Sequence, residues 1–277
     1  MTGTAATAEP RSGLQQIPPA RLNVMRTYLV VCALIIAIAE LAIAADAAAV
    51  GLLLDGAAVL LLVSNRWHFA PSGNQAPPQG LSTACAVLAL LPIMRLLSVT
   101  MPHKRVAEMG WYVLIGLPLL AVLIPLMGEQ EHLRKMLRLQ GMYLSQGVIA
   151  LGGIPLGLLG YAIAQPKPLP SGELLNNPVV AFIILTIFTG LMEEILFRGL
   201  LTDSAERFFG PVAGTLGVSV LFAVFNVGGG LWFAIFALYY GLTFSLIVRR
   251  TGSLVGVTIA HGLLNTGLLV IWPQVFK

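Results

Sequence analysis

The chain is a succession of apolar runs separated by short polar breaks. Nine runs stand out, at about 27–45, 47–64, 81–100, 110–128, 143–164, 178–200, 211–228, 230–248 and 253–272. They are continuous rather than alternating, and they approach the roughly 20 residues a helix needs to cross a bilayer. A membrane β-barrel would show weak alternation in segments of about ten residues instead. The pattern predicts an all-α, polytopic transmembrane helix bundle of eight or nine spans. The count turns on Asp46, because the first two runs are short and nearly continuous there. Read as one helix they give eight spans, and read as two they give nine. The seventh and eighth runs meet at Gly228, Gly229 and Gly230, a run that favours a tight turn.

Residues 1–26 lie outside this pattern. They are polar and small, with Pro10, Pro18, Pro19, Arg11, Arg21 and Arg26. They predict a disordered cytoplasmic tail, followed by amino-terminal membrane helices over 27–170 and a separate carboxy-terminal unit over 171–277. The tail is too long and polar for the start of a signal peptide, so the first run is expected to stay as an anchor.

Composition agrees with the hydropathy pattern. Hydrophobic residues make up 57% of the chain and charged residues 10%, against about a quarter charged in soluble domains. Mean hydropathy is +0.87. The net charge of +4 does not indicate nucleic acid, because no loop has the density of basic and aromatic residues such a surface needs. The basic residues instead choose an orientation. With the amino terminus inside and nine spans, ten fall on the cytoplasmic side: Arg11, Arg21, Arg26, Arg66, Arg134, Lys135, Arg138, Arg207, Arg249 and Arg250. Lys104, Arg105, Lys167 and Lys277 fall on the other. Cytoplasmic loops carry the excess of Lys and Arg, and merging the first two runs would reverse the later loops, so nine is preferred. The expected location is the plasma (inner) membrane.

Three further features have mainly structural readings. Cys32 and Cys85 lie inside apolar runs as small hydrophobes and form no Cys-x-x-Cys pair. Residues 129–141 place Leu133, Met136, Leu137 and Leu139 among Arg134, Lys135 and Arg138, which predicts a helix lying on the anionic inner leaflet. Gly153, Gly157 and Gly160 permit close helix contact.

Charges within the spans carry the chemistry, since an ionisable group there is costly. They are Glu40, Asp55, Arg95, Glu193, Glu194 and Arg198. Glu40 and Arg95 fall at similar depth on the first and third runs, as an ion pair would. Asp55 has no obvious partner beyond a hydrogen bond to a neighbouring helix. Glu194 and Arg198 are four residues apart with Glu first, the favourable order for a helical pair. Glu193 points about 100° away around the helix. Arg198 can thus neutralise Glu194 and leave Glu193 facing a polar cavity, where a poorly solvated carboxylate can act as a general base. A purely structural Glu–Glu–Arg network explains the same residues. His261 and Asn265 share one face of the last run and add a place to hold water, polarise a carbonyl or supply one metal ligand.

These residues resemble the CAAX-protease and bacteriocin-processing family of intramembrane proteases, also called the ABI family. Its pattern is Glu-Glu-x-x-x-Arg, then Phe-x-x-x-His, then His-x-x-x-Asn or Asp on successive helices. The first motif is present as Glu193-Glu194-Ile-Leu-Phe-Arg198 and the third as His261-Gly-Leu-Leu-Asn265. The second departs from the pattern at Phe222-Ala-Val-Phe-Asn226, where Asn226 stands in place of His. The resemblance covers roughly residues 175–275.

It implies an endopeptidase that hydrolyses a membrane-associated peptide or protein substrate with a Glu-activated water. Glu193 would be the general base, and Glu194 with Arg198 would hold the helix geometry. His261 and Asn265 would orient water and stabilise the oxyanion, with Asn226 assisting. The lipid bilayer is the other expected partner, and nucleic acid is not one. A divalent metal such as zinc is the implied candidate cofactor, though Asn is a poor zinc ligand and His261 would be the only imidazole. His68, His103 and His132 sit in predicted loops. Asn226 also favours a different class of function, a catalytically impaired member acting as a membrane-embedded binding or scaffold protein. A transporter relaying protons through Glu193 is a weaker third reading, because no inverted repeat is visible. By residue count, Glu193 and His261 come out roughly 10–13 Å from the cytoplasmic surface and Asn226 roughly 22 Å, at about 1.5 Å per residue.

Overall fold

The computed structural model describes residues 17–69, 79–100, 108–128, 130–166 and 177–276. Arg11, His103, Lys104, Arg105, Lys167, Lys277 and most of the expected tail lie outside the described residues, as does the Arg66 side chain. All regular structure among the described residues is helical. Seven helices are long and apolar enough to cross a membrane, and two shorter apolar helices, Ala48–Val63 and Pro211–Phe225, account for the remaining predicted runs. The protein is a polytopic membrane helix bundle.

The first helix, α1 (Pro19–Ala44), begins within the expected tail. Proline in its first turn needs no N–H partner there. Two arginines tie this start to the bundle: Arg21 Nη2 donates to Phe69 O at 2.7 Å and Arg26 Nε to Phe208 O at 2.6 Å. The chain then reverses at Asp46, whose φ is 60°, and returns as α2 (Ala48–Val63). The Tyr28 hydroxyl at the start of α1 donates to Leu61 O at the end of α2. The two helices are therefore an antiparallel hairpin and not one continuous span.

A short α3 (Asn65–Phe69) follows, then the long α4 (Gln79–Thr100) and α5 (Glu108–Gly128). The amphipathic stretch forms only α6 (Glu131–Met136). Leu133 is 1% exposed and lies in the core, with Met136 and Leu137 packed against it. The apolar residues of this stretch thus cover protein, where a helix lying on the leaflet had been expected. The fifth predicted run is α7 (Tyr143–Leu151) and α8 (Gly153–Ala164), separated at Gly152.

The sixth run is a 32-residue helix, Pro178–Phe209. It begins as α9 (Pro178–Leu185) and ends as α10 (Thr202–Phe209), with π-helical turns over Thr186–Leu191 and Glu194–Leu201 between them. It continues past residue 200 because the charges of α10 find partners. Asp203 binds Arg207 and His132, and Glu206 binds Arg249. After the turn at Gly210, α11 (Pro211–Phe225) leads through the glycine run to α12 (Leu231–Thr251). The final α13 (Val255–Thr266) passes into a π turn over Gly267–Ile271 and then α14 (Trp272–Val275).

Candidate active site

Glycines decide how the site-bearing helices meet. A side chain added at Gly262 of α13 would overlap the Thr186 hydroxyl, and one at Gly190 would lie 2.8 Å from Thr258 O. The long helix and α13 therefore touch almost backbone to backbone. On the opposite flank of α13, a Cβ at Gly153 would overlap Ala260 O, and one at Gly157 would come within 2.9 Å of Leu264 O. The predicted small-residue contact of α8 thus clamps the helix that carries His261. Between these close approaches the π turns place Glu193 and Glu194. Such turns are rare and concentrate at functional sites.

Glu194 is fully buried and sits at the centre of a polar cluster. Its Oε1 accepts from Arg198 Nη1 at 3.0 Å and lies 2.8 Å from His261 Nδ1. An ionised carboxylate can only accept, so Nδ1 carries the proton and Nε2 is the nitrogen left to face Glu193. Nε2 stands 3.8 Å from Glu193 Oε2, beyond direct hydrogen-bond range. The expected Glu194–Arg198 pair is present, but Glu194 also orients His261, a role its spacing did not reveal. The Arg198 guanidinium lies over Phe222, 4.2 Å from the ring centroid, a cation–π contact. Phe222, Tyr240 and Phe244 surround the His261 ring.

Glu193 keeps 25% of its side chain exposed, whereas Glu194 and His261 are almost wholly covered. Its opening is a cavity of about 220 Å³, whose lining includes Arg95, Thr189, Glu193, Phe225 and Asn226. Asn226 caps α11, and its Nδ2 donates to Phe222 O at 2.9 Å. It shares the cavity with Glu193, so the depth mismatch inferred from residue counting is removed. The sixth helix runs on to Phe209, past its predicted end at 200. Measured from Phe209, Glu193 is roughly 24 Å along its helix, and Asn226 is roughly 22 Å from the start of α11, at about 1.5 Å per residue. His261 stands behind Glu193 and does not line the cavity. Asn265 donates to Thr189 Oγ1 at 2.9 Å and so reaches the cavity wall only through Thr189.

The other intramembrane charges divide. Arg95 and Glu40 form the expected pair, a two-pronged contact with Nε–Oε1 at 2.7 Å and Nη2–Oε2 at 2.5 Å. Asp55 departs from expectation: it is fully buried, and neither oxygen has a hydrogen-bond partner among the described residues. His132 bonds Asp203 at 3.0 Å and His68 lies near Tyr28, both away from the cluster. Thr189 is a cavity residue that the sequence did not single out, and Arg95, expected only as half of an ion pair with Glu40, also lines the cavity. Thr189 had a usable signal, one helical turn before Glu193. Arg95 had none, because its link to the cavity is made only in the folded bundle.

The donor set does not fit a zinc site. Among the described residues, no group of three or more His, Cys, Asp and Glu is arranged to hold a metal. Glu194 Oε1 is occupied by Arg198 and His261. Glu194 Oε2 is buried with no hydrogen-bond partner among the described residues, but with the Glu193 carboxylate and His261 Nε2 it does not form a group placed to hold a metal, where a catalytic zinc takes three protein ligands.

Residues 175–267 match the family described as Rce1-like, Type II CAAX prenyl endopeptidase Rce1-like. Over this segment the chain is similar to that family, and the match contains all six candidate residues. Comparison with curated proteins and with solved structures gave no match.

Proposed function

We propose that the protein is an intramembrane endopeptidase that cleaves a membrane-associated peptide or protein, with Glu193 as general base. The observation that carries this reading is the division of labour in the Glu pair. Glu194 is spent on Arg198 and His261, while Glu193 meets the cavity with a histidine nitrogen 3.8 Å away. A water between Glu193 and His261 can bond both. Glu193 takes a proton from it as its oxygen adds to the scissile carbonyl carbon. The resulting tetrahedral species collapses by breaking the C–N bond, and Glu193 returns the proton to the departing amine. Thr189, held by Asn265, lines the substrate side.

A second reading is favoured by Asn226. Its amide cannot act as a proton carrier or take over the role of an imidazole, which suits an impaired member that binds a membrane partner. The two readings separate in one experiment, an assay of the purified protein in lipid against a panel of fluorogenic transmembrane peptides. A protease loses cleavage in Glu193→Gln while remaining folded. Asn226→His then raises its rate, by up to roughly a hundredfold to a thousandfold if one oxyanion donor is restored. A binder cleaves nothing and tolerates both changes.

The orientation proposed is amino terminus inside, in the plasma (inner) membrane. In support, Arg26, Arg207 and Arg249 all meet one end of the long helix, through Phe208, Asp203 and Glu206. Cysteine labelling from either side tests it: residues placed at position 134 and at 277 should label from opposite faces.

A further inference from the structure

Arg95 is the residue whose placement goes furthest beyond its expected structural role. It belongs to α4, outside the segment that matches the family. Its guanidinium is fixed at three points. Nε and Nη2 are held by the two oxygens of Glu40, and Nη2 also donates to Phe225 O at 3.2 Å. The Phe225 ring lies against its face, 5.4 Å from the centroid. Nη1 makes no hydrogen bond among the described residues, and the side chain is 24% exposed on the cavity that Glu193 and Asn226 also line.

Hydrolysis needs a donor there. As water adds, the carbonyl π electrons move to oxygen, and the developing charge is stabilised by an N–H placed in advance. The other candidates are engaged or do not line the cavity. Arg198 is buried, bound to Glu194 and covered by Phe222, and it does not line the cavity. His261 also stands behind Glu193, and the Asn226 amide is turned to Phe222 O. A charged donor would be worth more here than a neutral one.

We propose that Arg95 is the oxyanion-stabilising residue, donating from Nη1 to the scissile carbonyl oxygen, with Glu40 as the positioning residue that holds its plane. This rests on the endopeptidase reading above. In the step, the water oxygen bonds to the carbonyl carbon, Glu193 accepts the water proton and the carbonyl oxygen becomes the oxyanion on Arg95. Collapse restores the carbonyl, breaks the C–N bond and returns the proton from Glu193 to the amine.

The test uses full-length protein in lipid and the transmembrane peptide it cleaves best in the panel. Arg95→Gln should lower kcat about a hundredfold to a thousandfold with little change in KM. It should also weaken binding of a phosphonate analogue of that peptide while leaving binding of the uncleaved amide intact. A merely structural Arg95 would only neutralise Glu40. In that case Glu40→Gln with Arg95→Gln, which removes both charges and guards against misfolding of the single variant, restores kcat and overturns the proposal. The proposal expects the double variant to stay as slow as Arg95→Gln alone and to keep its weak phosphonate binding. An unchanged kcat in Arg95→Gln also overturns it. Activity surviving in Glu193→Gln, or no peptide cleaved at all, instead removes the endopeptidase reading itself.

Discussion

Glu194 and Arg198 sit four residues apart and reach each other without leaving their helix, with side chains 0% and 2% exposed. In the amino-terminal helices, Glu40 and Arg95 are brought together from α1 and α4, and Arg95 keeps 24% of its surface. The first pair is a local arrangement sealed by its surroundings. The second is a tertiary arrangement that keeps one edge on a cavity. Both regions have close backbone approaches, but α2 also carries a glycine in open space. The long helix and α13 touch through glycines with no room to spare; on α2, a Cβ at Gly51 would also come within 2.8 Å of Ala39 O, but one added at Gly56 meets nothing within 4 Å. A sealed pair suits a fixed scaffold, and a pair with an open edge can still meet a ligand.

The sharpest way to break this comparison is to remove one acid from each pair. Glu194→Gln leaves Arg198 without its carboxylate and weakens the hold on His261, and should cost about 3–5 kcal/mol. Glu40→Gln should cost less, about 1–3 kcal/mol, because part of Arg95 can still be solvated. Unfolding curves in detergent measure both, and equal losses would mean that exposure does not separate the pairs. The glycines offer a smaller contrast of opposite sign. Gly262→Ala forces a methyl group against Thr186 and should destabilise by about 1–3 kcal/mol. Gly56→Ala has free space and should stabilise by about 0.5–1 kcal/mol.

The smallest effect belongs to the surface pair on α6. Lys135 Nζ lies 2.9 Å from Glu131 Oε1, and both side chains are more than half exposed. Its hydrogen bond with Lys135 holds the Glu131 carboxyl below the usual carboxylate range. With the folded value depressed, any stability it contributes is present above the unfolded value near about 4.3. That contribution is lost as pH falls through the folded value. NMR titration should show the low midpoint, and Lys135→Gln should move it upward. An unmoved midpoint would assign the shift to another cause.

The legible part of this molecule was its local part. Nine apolar runs became helices because each carries its own signal. The Glu194–Arg198 pair could be read because four residues is one helical turn. The sixth helix outruns its apolar signal because Asp203, Glu206 and Arg207 look like a departure from the membrane. Their partners, His132, Arg249 and Gln130, come from other elements. The π turns and the contact of Gly262 with Thr186 depend on two helices meeting. Arg95 reaches Phe225 across 130 positions of chain. No periodicity within one segment reports such a contact.

The shortness of α11 reaches beyond the protein. Its 15 residues extend roughly 22 Å at about 1.5 Å per residue, against a hydrocarbon layer of about 30 Å. Asn226 lies at its far end, on the cavity. Either the bilayer pinches inward beside this helix or the glycine turn lies below the lipid surface with water drawn down to it. Either would bring bulk water close to Glu193 without a pore through the bundle. Bilayer thickness would then act as a control on the site: thin membranes relieve the mismatch, and thick ones act against the hydration that the proposed hydrolysis needs.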